Sequence, residues 1–377
     1  MRILWISDSP TTCSGYGTVT REVLGRLAHA GYNVACVGWA YQGWPYHRQI
    51  IPYDVYPADP RMLGRESVPR AIHEYQPDVV IALGDAWMIE WLKDLRLPQP
   101  YKLVVYFPVD GTPFPHAWTG ILRAANAAVA YSQFGQREAA AACPGVDIRM
   151  IYHGVDTRIF RPLGDKSAFQ ASRGMAGKFV IGCVARNQSR KQFPILFKAF
   201  SRFAADCNEA VLYLHTDPKD VTGWDLHALV QRYGLEDRVA FSSDAGIATG
   251  GVDPEELNRI YNLMDVMVLP TMGEGFGLPI VEAMAAGVPV MATRCSACVE
   301  LLEGHGELIA VEATIPVGRQ CIDHSLPDGD DMLAKLHRLH DDADLRARYA
   351  SAGLAFAAQF DWDRIIPQWQ ALLAQLS

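Results

Sequence analysis

The chain has 377 residues, half of them apolar and a fifth charged, with a formal net charge of −8. That is long enough for two domains, and it is the make-up of a folded soluble enzyme rather than of a disordered or fibrous chain. The charge gives no global attraction to nucleic acid or anionic lipid, no apolar run reaches membrane-spanning length, and the start is too polar after Ile6 for a secretion signal. A cytoplasmic location is expected.

In chain order, short apolar runs are predicted as strands at 2–7, 33–39, 78–84, 102–109, 126–132 and 147–154, then at 179–185, 210–217, 239–243, 265–270 and 288–293. Helical patterns separate them. Near-continuous apolar strands alternating with helices point to parallel sheets covered on both faces. The series pauses in a stretch rich in Gly, Pro and charge, where a linker is placed at Arg161–Gly177. The expectation is an α/β protein of two Rossmann-like, doubly wound domains facing a central cleft. The first is expected to span 1–165 and the second 170–355. The carboxyl ends of the strands should point at the cleft. A helix within 356–377 carries Trp362, Ile366 and Trp369 on one side, and Pro367 is expected to kink it or end a segment. The eight scattered cysteines read as reduced, buried small hydrophobes, and Cys295 and Cys298, a lone C-x-x-C, lack the second pair that zinc needs.

After the first strand, Gly15 and Gly17 form a glycine loop at a helix start, suited to close approach by a phosphate or a sugar. The third glycine of a dinucleotide fingerprint is missing, and the strand ending at Trp39 carries no ribose-binding acid, which argues against NAD. A flexible turn is the plainer reading. Arg186 and Lys191 follow the strand at 179–185; a planar fork beside a point charge suits a diphosphate, though two solvated loop cations would look the same. In "TMGEGFGLPIVEAMAAGVPV", a loop precedes a helix with Pro279 near its start and Gly287 past its end. Glu274 lies in the loop and Glu282 in the early helix. Carboxylates only accept hydrogen bonds, so they call for hydroxyl donors, while backbone N–H groups around Phe276–Ile280 would hold phosphate or a sugar oxygen. Hydroxyls at both ends of a diphosphate describe a nucleotide sugar, with Glu282 on the ribose and Glu274 on the transferred sugar.

These motifs resemble the E-x7-E signature of the retaining GT-B fold glycosyltransferases of family 4 (glycosyl transferases group 1). "AYSQF", "YHGVDTRIFRP", "VARNQSRK" and "FDWDRI" are similar to further segments of that family, so the resemblance covers most of the chain. It implies that Glu274 and the backbone of Gly275, Phe276, Gly277 and Leu278 bind the donor sugar and phosphate. Arg186 and Lys191 would take the diphosphate and Glu282 the ribose, and the last helix would cross back to the first domain. Many members carry a His where this chain has Pro108, Val109 and Asp110; His116 lies further on, in a Pro-rich loop. Asp110 and Asp85, each just after a strand, are candidates for touching the acceptor or a sugar hydroxyl, and a turn or helix-capping acid is the plainer reading of both. Trp44, in an aromatic stretch after the second strand, can reach the acceptor side, unless that stretch merely packs on its domain.

The resemblance implies transfer with retention, the leaving diphosphate taking the acceptor's proton on the same face. The D-x-D spacings at Asp341–Asp344 and Asp361–Asp363 lie in helical patterns and read as exposed faces, so no metal or other cofactor is expected. The donor is expected to be a UDP-sugar such as UDP-glucose, with a GDP-sugar as the alternative. A sugar-nucleotide epimerase or hydrolase of the same build, or a non-catalytic nucleotide-sugar-binding subunit, are the rival readings. The acceptor stays open: a glycan, a small molecule, a lipid carrier or a hydroxylated nucleic-acid base.

Overall fold

The computed structural model describes residues 1–96, 100–242 and 251–376. The chain divides into two compact units, Met1–Gly154 with Trp362–Ser377, and Val155–Asp361. The first is built on seven strands: β1 (Arg2–Asp8), β2 (Asn33–Trp39), β3 (Asp54–Ala58), β4 (Val79–Leu83), β5 (Lys102–Phe107), β6 (Ala127–Ala130) and β7 (Ile148–Met150). They lie in the order β3-β2-β1-β4-β5-β6-β7, every pair parallel. Ile3 to Ile6 and all of β4 are buried because helices cover both faces of the sheet. The order reverses between β1 and β4, the kind of position at which open parallel sheets bind their ligands.

The helix Trp362–Gln375 belongs to this first unit although it follows the second in sequence. Trp369 explains why: its ring meets Trp5 of β1 edge-on at 5.7 Å and Tyr106 of β5 at 4.8 Å. Burial of Trp362, Ile365, Ile366, Trp369, Leu372 and Leu373 holds one continuous helix through Pro367, so the expected segment break does not occur. The packing outweighs the backbone hydrogen bond a proline forfeits.

The second unit repeats the plan with β8 (Phe179–Val184), β9 (Ala210–His215), β10 (Val239–Phe241), β11 (Val266–Leu269), β12 (Val290–Thr293) and β13 (Glu307–Ile309), ordered β10-β9-β8-β11-β12-β13, again parallel. Ser243, the last residue of one expected strand, lies outside the described residues. A hairpin of β14 (Val311–Val317) and β15 (Ile322–Pro327) follows and touches the β11 loop, where Ser325 N–H donates to Met272 O at 3.0 Å.

Three features depart from the sequence reading. The crossing between units falls at Gly154/Val155, ahead of the linker placed at 161–177, because side chains of the second unit hold this stretch. Buried Asn258 and Asn262, on the helix Pro254–Leu263, accept from the backbone N–H of Arg161 (3.1 Å) and Leu163 (2.7 Å), and Lys166 reaches Asp265 at 2.6 Å. The polar stretch even contains a helix, Lys166–Ser172. Strands β3, β13, β14 and β15 were not anticipated: β3 contains Pro57, which only a sheet edge tolerates, β13 has three residues, and β14 is exposed along most of its length. Finally, six cysteines are buried, but Cys13 and Cys321 are exposed.

Candidate functional site

The strand order of the second unit reverses between β8 and β11. The loops leaving these two strands bring Lys191 and Glu274 together, 83 residues apart in sequence. After β8 the chain passes Arg186 and makes one 3-10 turn, Ser189–Lys191, before the helix Phe193–Asp206. After β11 it forms the loop that leads to the helix Leu278–Ala285. Met272 N–H donates to Arg190 O at 2.8 Å and ties the two loops together.

Lys191 and Glu274 are 5% and 6% exposed. The Lys191 ammonium donates to Glu274 Oε1, and Arg190 Nη1 donates to the same oxygen at 3.1 Å and to Gly273 O at 2.7 Å. Glu274 N–H donates to Ser296 Oγ at 2.8 Å, which fixes the loop from the far side. Burial alone would raise the Glu274 pKa, but the charges of Lys191 and Arg190 overturn it and hold it at about 2. Lys191 moves down: burial and the neighbouring Arg190 cation outweigh its attraction to Glu274. Two cations share one carboxylate, so the cluster carries a surplus positive charge in a poorly solvated place. It favours an incoming anion.

Helix Leu278–Ala285 adds to this field. Gly277 caps it with φ +102°, a conformation only glycine adopts without strain, and no side chain caps it. Pro279 has no N–H to offer, and Ile280 N–H is already bonded to Gly277 O at 2.9 Å, so part of the donor row expected at Phe276–Ile280 is spent. The Phe276 side chain packs edge-on to Phe360 at 5.7 Å, which leaves its backbone as the group a ligand could meet. Gly275 sits in the same loop. Glu282 falls in the second turn, beyond reach of the helix-end charge, and is placed instead by Tyr261, whose hydroxyl donates to Oε2 at 2.7 Å.

Arg186 does not join the ion pairs of Lys191 and Arg190 with Glu274. It is largely exposed, and its Nε donates to Asp220 Oδ2 at 2.6 Å.

The remaining candidates stand in the first unit. Gly15 opens the helix Gly15–His29, and Ser14 caps it by accepting from Gly17 N–H at 2.9 Å. A Cβ on Gly17 would lie 2.4 Å from Thr12 Oγ1 and 2.5 Å from Thr12 O, so loop closure already accounts for that glycine. Asp85 ends the loop after β4. It occupies a helix-capping position without making a capping bond, and accepts from Tyr16 OH at 3.1 Å instead. Tyr131 packs on His153 with ring centroids 4.0 Å apart, and His153 Nδ1 pairs with Tyr106 OH at 2.8 Å. Burial lowers the His153 pKa to about 3, so it is neutral. Asp110 is half-buried near Tyr131, and His116 is exposed in a short turn. Trp44 is 49% exposed, while its neighbour Tyr41 is buried and donates its hydroxyl to Trp44 O at 2.6 Å.

The acidic D-x-D runs are exposed at Asp341, Asp342, Asp344 and Asp363, as expected, and two of their residues also have structural roles. Asp342 caps the helix Ala343–Ala357, and Asp361 accepts from Thr157 N–H at 3.2 Å. Among the described residues no group of three His, Cys, Asp or Glu side chains could hold a metal ion, and no helix is long and apolar enough to cross a membrane. Sequence reasoning missed Arg190, Tyr261 and Ser296. Arg190 could have been read from its place beside Lys191; nothing in the spacing singles out Tyr261 or Ser296.

A family model described as glycosyl transferases group 1 matches residues 178–319. Among curated relatives, a lipopolysaccharide core biosynthesis mannosyltransferase of Rhizobium meliloti is 33% identical over 42% of this chain and 44% of its own length. A D-inositol 3-phosphate glycosyltransferase of Stackebrandtia nassauensis is 30% identical over 55% and 44%. The matches thus span under half of these relatives. Among solved structures, Anabaena Alr3699/HepE in complex with UDP and glucose superposes with a TM-score of 0.76 at 22% identity, covering all of both chains. A sucrose-phosphate synthase from Thermosynechococcus elongatus superposes with a TM-score of 0.77 at 20% identity, over 100% and 99%. The fold is that of GT-B glycosyltransferases, and the stretch matching the group 1 model contains Arg186, Arg190, Lys191, Tyr261, Glu274 and Glu282.

Proposed function

We propose that the chain is a glycosyltransferase that moves a sugar from a nucleotide-diphosphate sugar to a hydroxyl acceptor, with retention of configuration and without a metal. The observation that carries this reading is the buried cluster of Lys191, Arg190 and Glu274 at the β8/β11 reversal, beside an uncapped helix start. Its surplus positive charge suits the diphosphate, and it can stabilise the negative charge that grows there as the glycosidic bond breaks. Glu274, ionised at neutral pH, cannot donate a proton to the leaving group; it accepts from a sugar hydroxyl. Glu282, aimed by Tyr261, takes the ribose. Positioning and charge stabilisation then supply the rate, and the leaving diphosphate accepts the acceptor's proton. Asp85 and Asp110 are the acceptor-side candidates. UDP is the favoured base partner, with GDP second; the mannosyltransferase names among the relatives keep GDP-mannose in the test set.

The test incubates the purified protein with UDP-glucose, GDP-mannose and ADP-glucose, with and without mono- and oligosaccharide acceptors, and follows nucleoside diphosphate release and the product's anomeric configuration. One donor should turn over faster with an acceptor present, give a retained product and lose turnover in Glu274→Gln. Inversion would sink the stereochemical reading. Release that no acceptor accelerates would point to hydrolysis. Failure of every donor to bind would sink the donor site.

A further inference from the structure

We infer that Asp220, on the loop after β9, is a positioning residue that orients the Arg186 guanidinium for the donor's diphosphate. The inference rests on the donor reading above. Arg186 is 61% exposed, and a long exposed side chain loses conformational freedom when a ligand fixes it. Asp220 removes part of that freedom beforehand. It engages Nε of Arg186 and does not consume the two Nη groups, which form the fork that matches phosphate oxygens.

The loop is built to present this carboxylate. Asp220 Oδ1 accepts from Thr222 N–H at 2.9 Å and from Thr222 Oγ1 at 2.8 Å, which sets the direction of Oδ2. Asn187, fully buried and next to Arg186 in sequence, anchors both ends of the loop. Its Nδ2 donates to Asp217 O at 3.3 Å and Trp224 O at 2.6 Å, and its Oδ1 accepts from Trp224 N–H at 3.1 Å. Ser189 N–H donates to Thr222 O at 3.2 Å. A Cβ at Gly223 would lie 2.0 Å from Asn187 Oδ1, so only glycine lets the loop close this tightly on the exit of β8. Residues 217–224 are therefore tied to the strand end that carries Arg186, and the Asp220–Arg186 pair is the loop's charged contact with it.

A carboxylate beside a phosphate site also repels the ligand. Here its charge is already compensated by Arg186 and the Thr222 N–H, which lower its pKa against the opposing effect of burial. Ordering of the fork then outweighs the residual repulsion.

Asp220→Asn separates these effects: the amide oxygen keeps the Thr222 bonds, while the Arg186 partner is lost. Calorimetry on the wild type with UDP, GDP and ADP identifies the diphosphate that binds, and ligand-observed NMR measures the matching nucleoside. Asp220→Asn should weaken the diphosphate about fivefold, the scale of an exposed ion pair, and leave the nucleoside unchanged. In an Arg186→Ala background it should have no further effect. Unchanged or tighter diphosphate binding, an equal loss for nucleoside and diphosphate, or a full additional loss on top of Arg186→Ala would each overturn the inference. Failure of all three diphosphates to bind the wild type would overturn the donor reading and this inference with it.

Discussion

Breaking the Lys191–Glu274 pair should cost stability as well as activity. Both side chains are almost fully removed from water, so the survivor of a single truncation keeps its desolvation penalty and loses its partner. Such truncations typically cost about 3–5 kcal/mol. The structure separates the two cases. In Lys191→Ala, Arg190 still donates to Glu274 at 3.1 Å, which places the loss near the lower end, about 3 kcal/mol. In Glu274→Ala, Lys191 and Arg190 are left facing each other. Lys191 can relieve this by losing its proton, because burial and Arg190 already hold its pKa below the ordinary value. A tenfold change in that protonation equilibrium costs only about 1.4 kcal/mol. The apolar pair Lys191→Met with Glu274→Leu removes both desolvation penalties and should recover at least half of the larger single loss, yet have no transferase activity. Urea unfolding of the four proteins measures this directly. Single variants with wild-type midpoints, or a double variant whose loss equals the sum of the singles, would refute the account of a coupled buried pair.

Other expectations follow from particular contacts. Tyr261→Phe should cost about 1–3 kcal/mol, because it leaves a buried carboxylate without its hydroxyl donor, and should raise the donor KM more than it lowers kcat; steady-state kinetics and denaturation check both. Gly277→Ala should destabilise by about 1–2 kcal/mol, since φ is +102° and the new methyl meets Ile280 Cδ1 at 3.0 Å; the unfolding midpoint reports it. His340 is raised above its ordinary pKa because burial, which lowers it, is outweighed by the hydrogen bonds its ring N–H groups donate to Asp341 and Glu209. Its stabilisation is thus complete below about pH 6.5 and lost as pH rises through the folded value, and the fall in Tm over that range should shrink in His340→Gln. Turnover should survive EDTA; loss of activity restored by Mg or Mn would contradict the metal-free reading.

Much of the fold was legible because its strands are buried on both faces and therefore read as apolar runs. β1, β4, β8 and β11 show this clearly. What stayed hidden either lacks that signal or depends on distant partners. β3 carries a proline that its edge position tolerates, and the hairpin β14–β15 is too exposed to write an apolar pattern. The unit boundary was misplaced because polarity marks a linker only when nothing polar binds it. Asn258 and Asn262 bind this one from about a hundred residues away.

The candidate site shows the same division. The spacing between Glu274 and Glu282 is visible in sequence, but the chain gives the two carboxylates different keepers. Glu274 is held from the β8 loop by Lys191 and Arg190, and Glu282 by Tyr261 on the helix that precedes β11. The reversal of strand order between β8 and β11 makes this arrangement: the exits of two adjacent parallel strands, far apart in sequence, deliver cations from one loop and an acid from the other. A short motif can report the acids because they share one loop and helix. It cannot report what sets their charge and aim, since those groups arrive through the sheet. The same logic makes Asp220 invisible to any motif centred on Arg186, because its loop leaves the next strand, β9, and is bound back to β8 through Asn187.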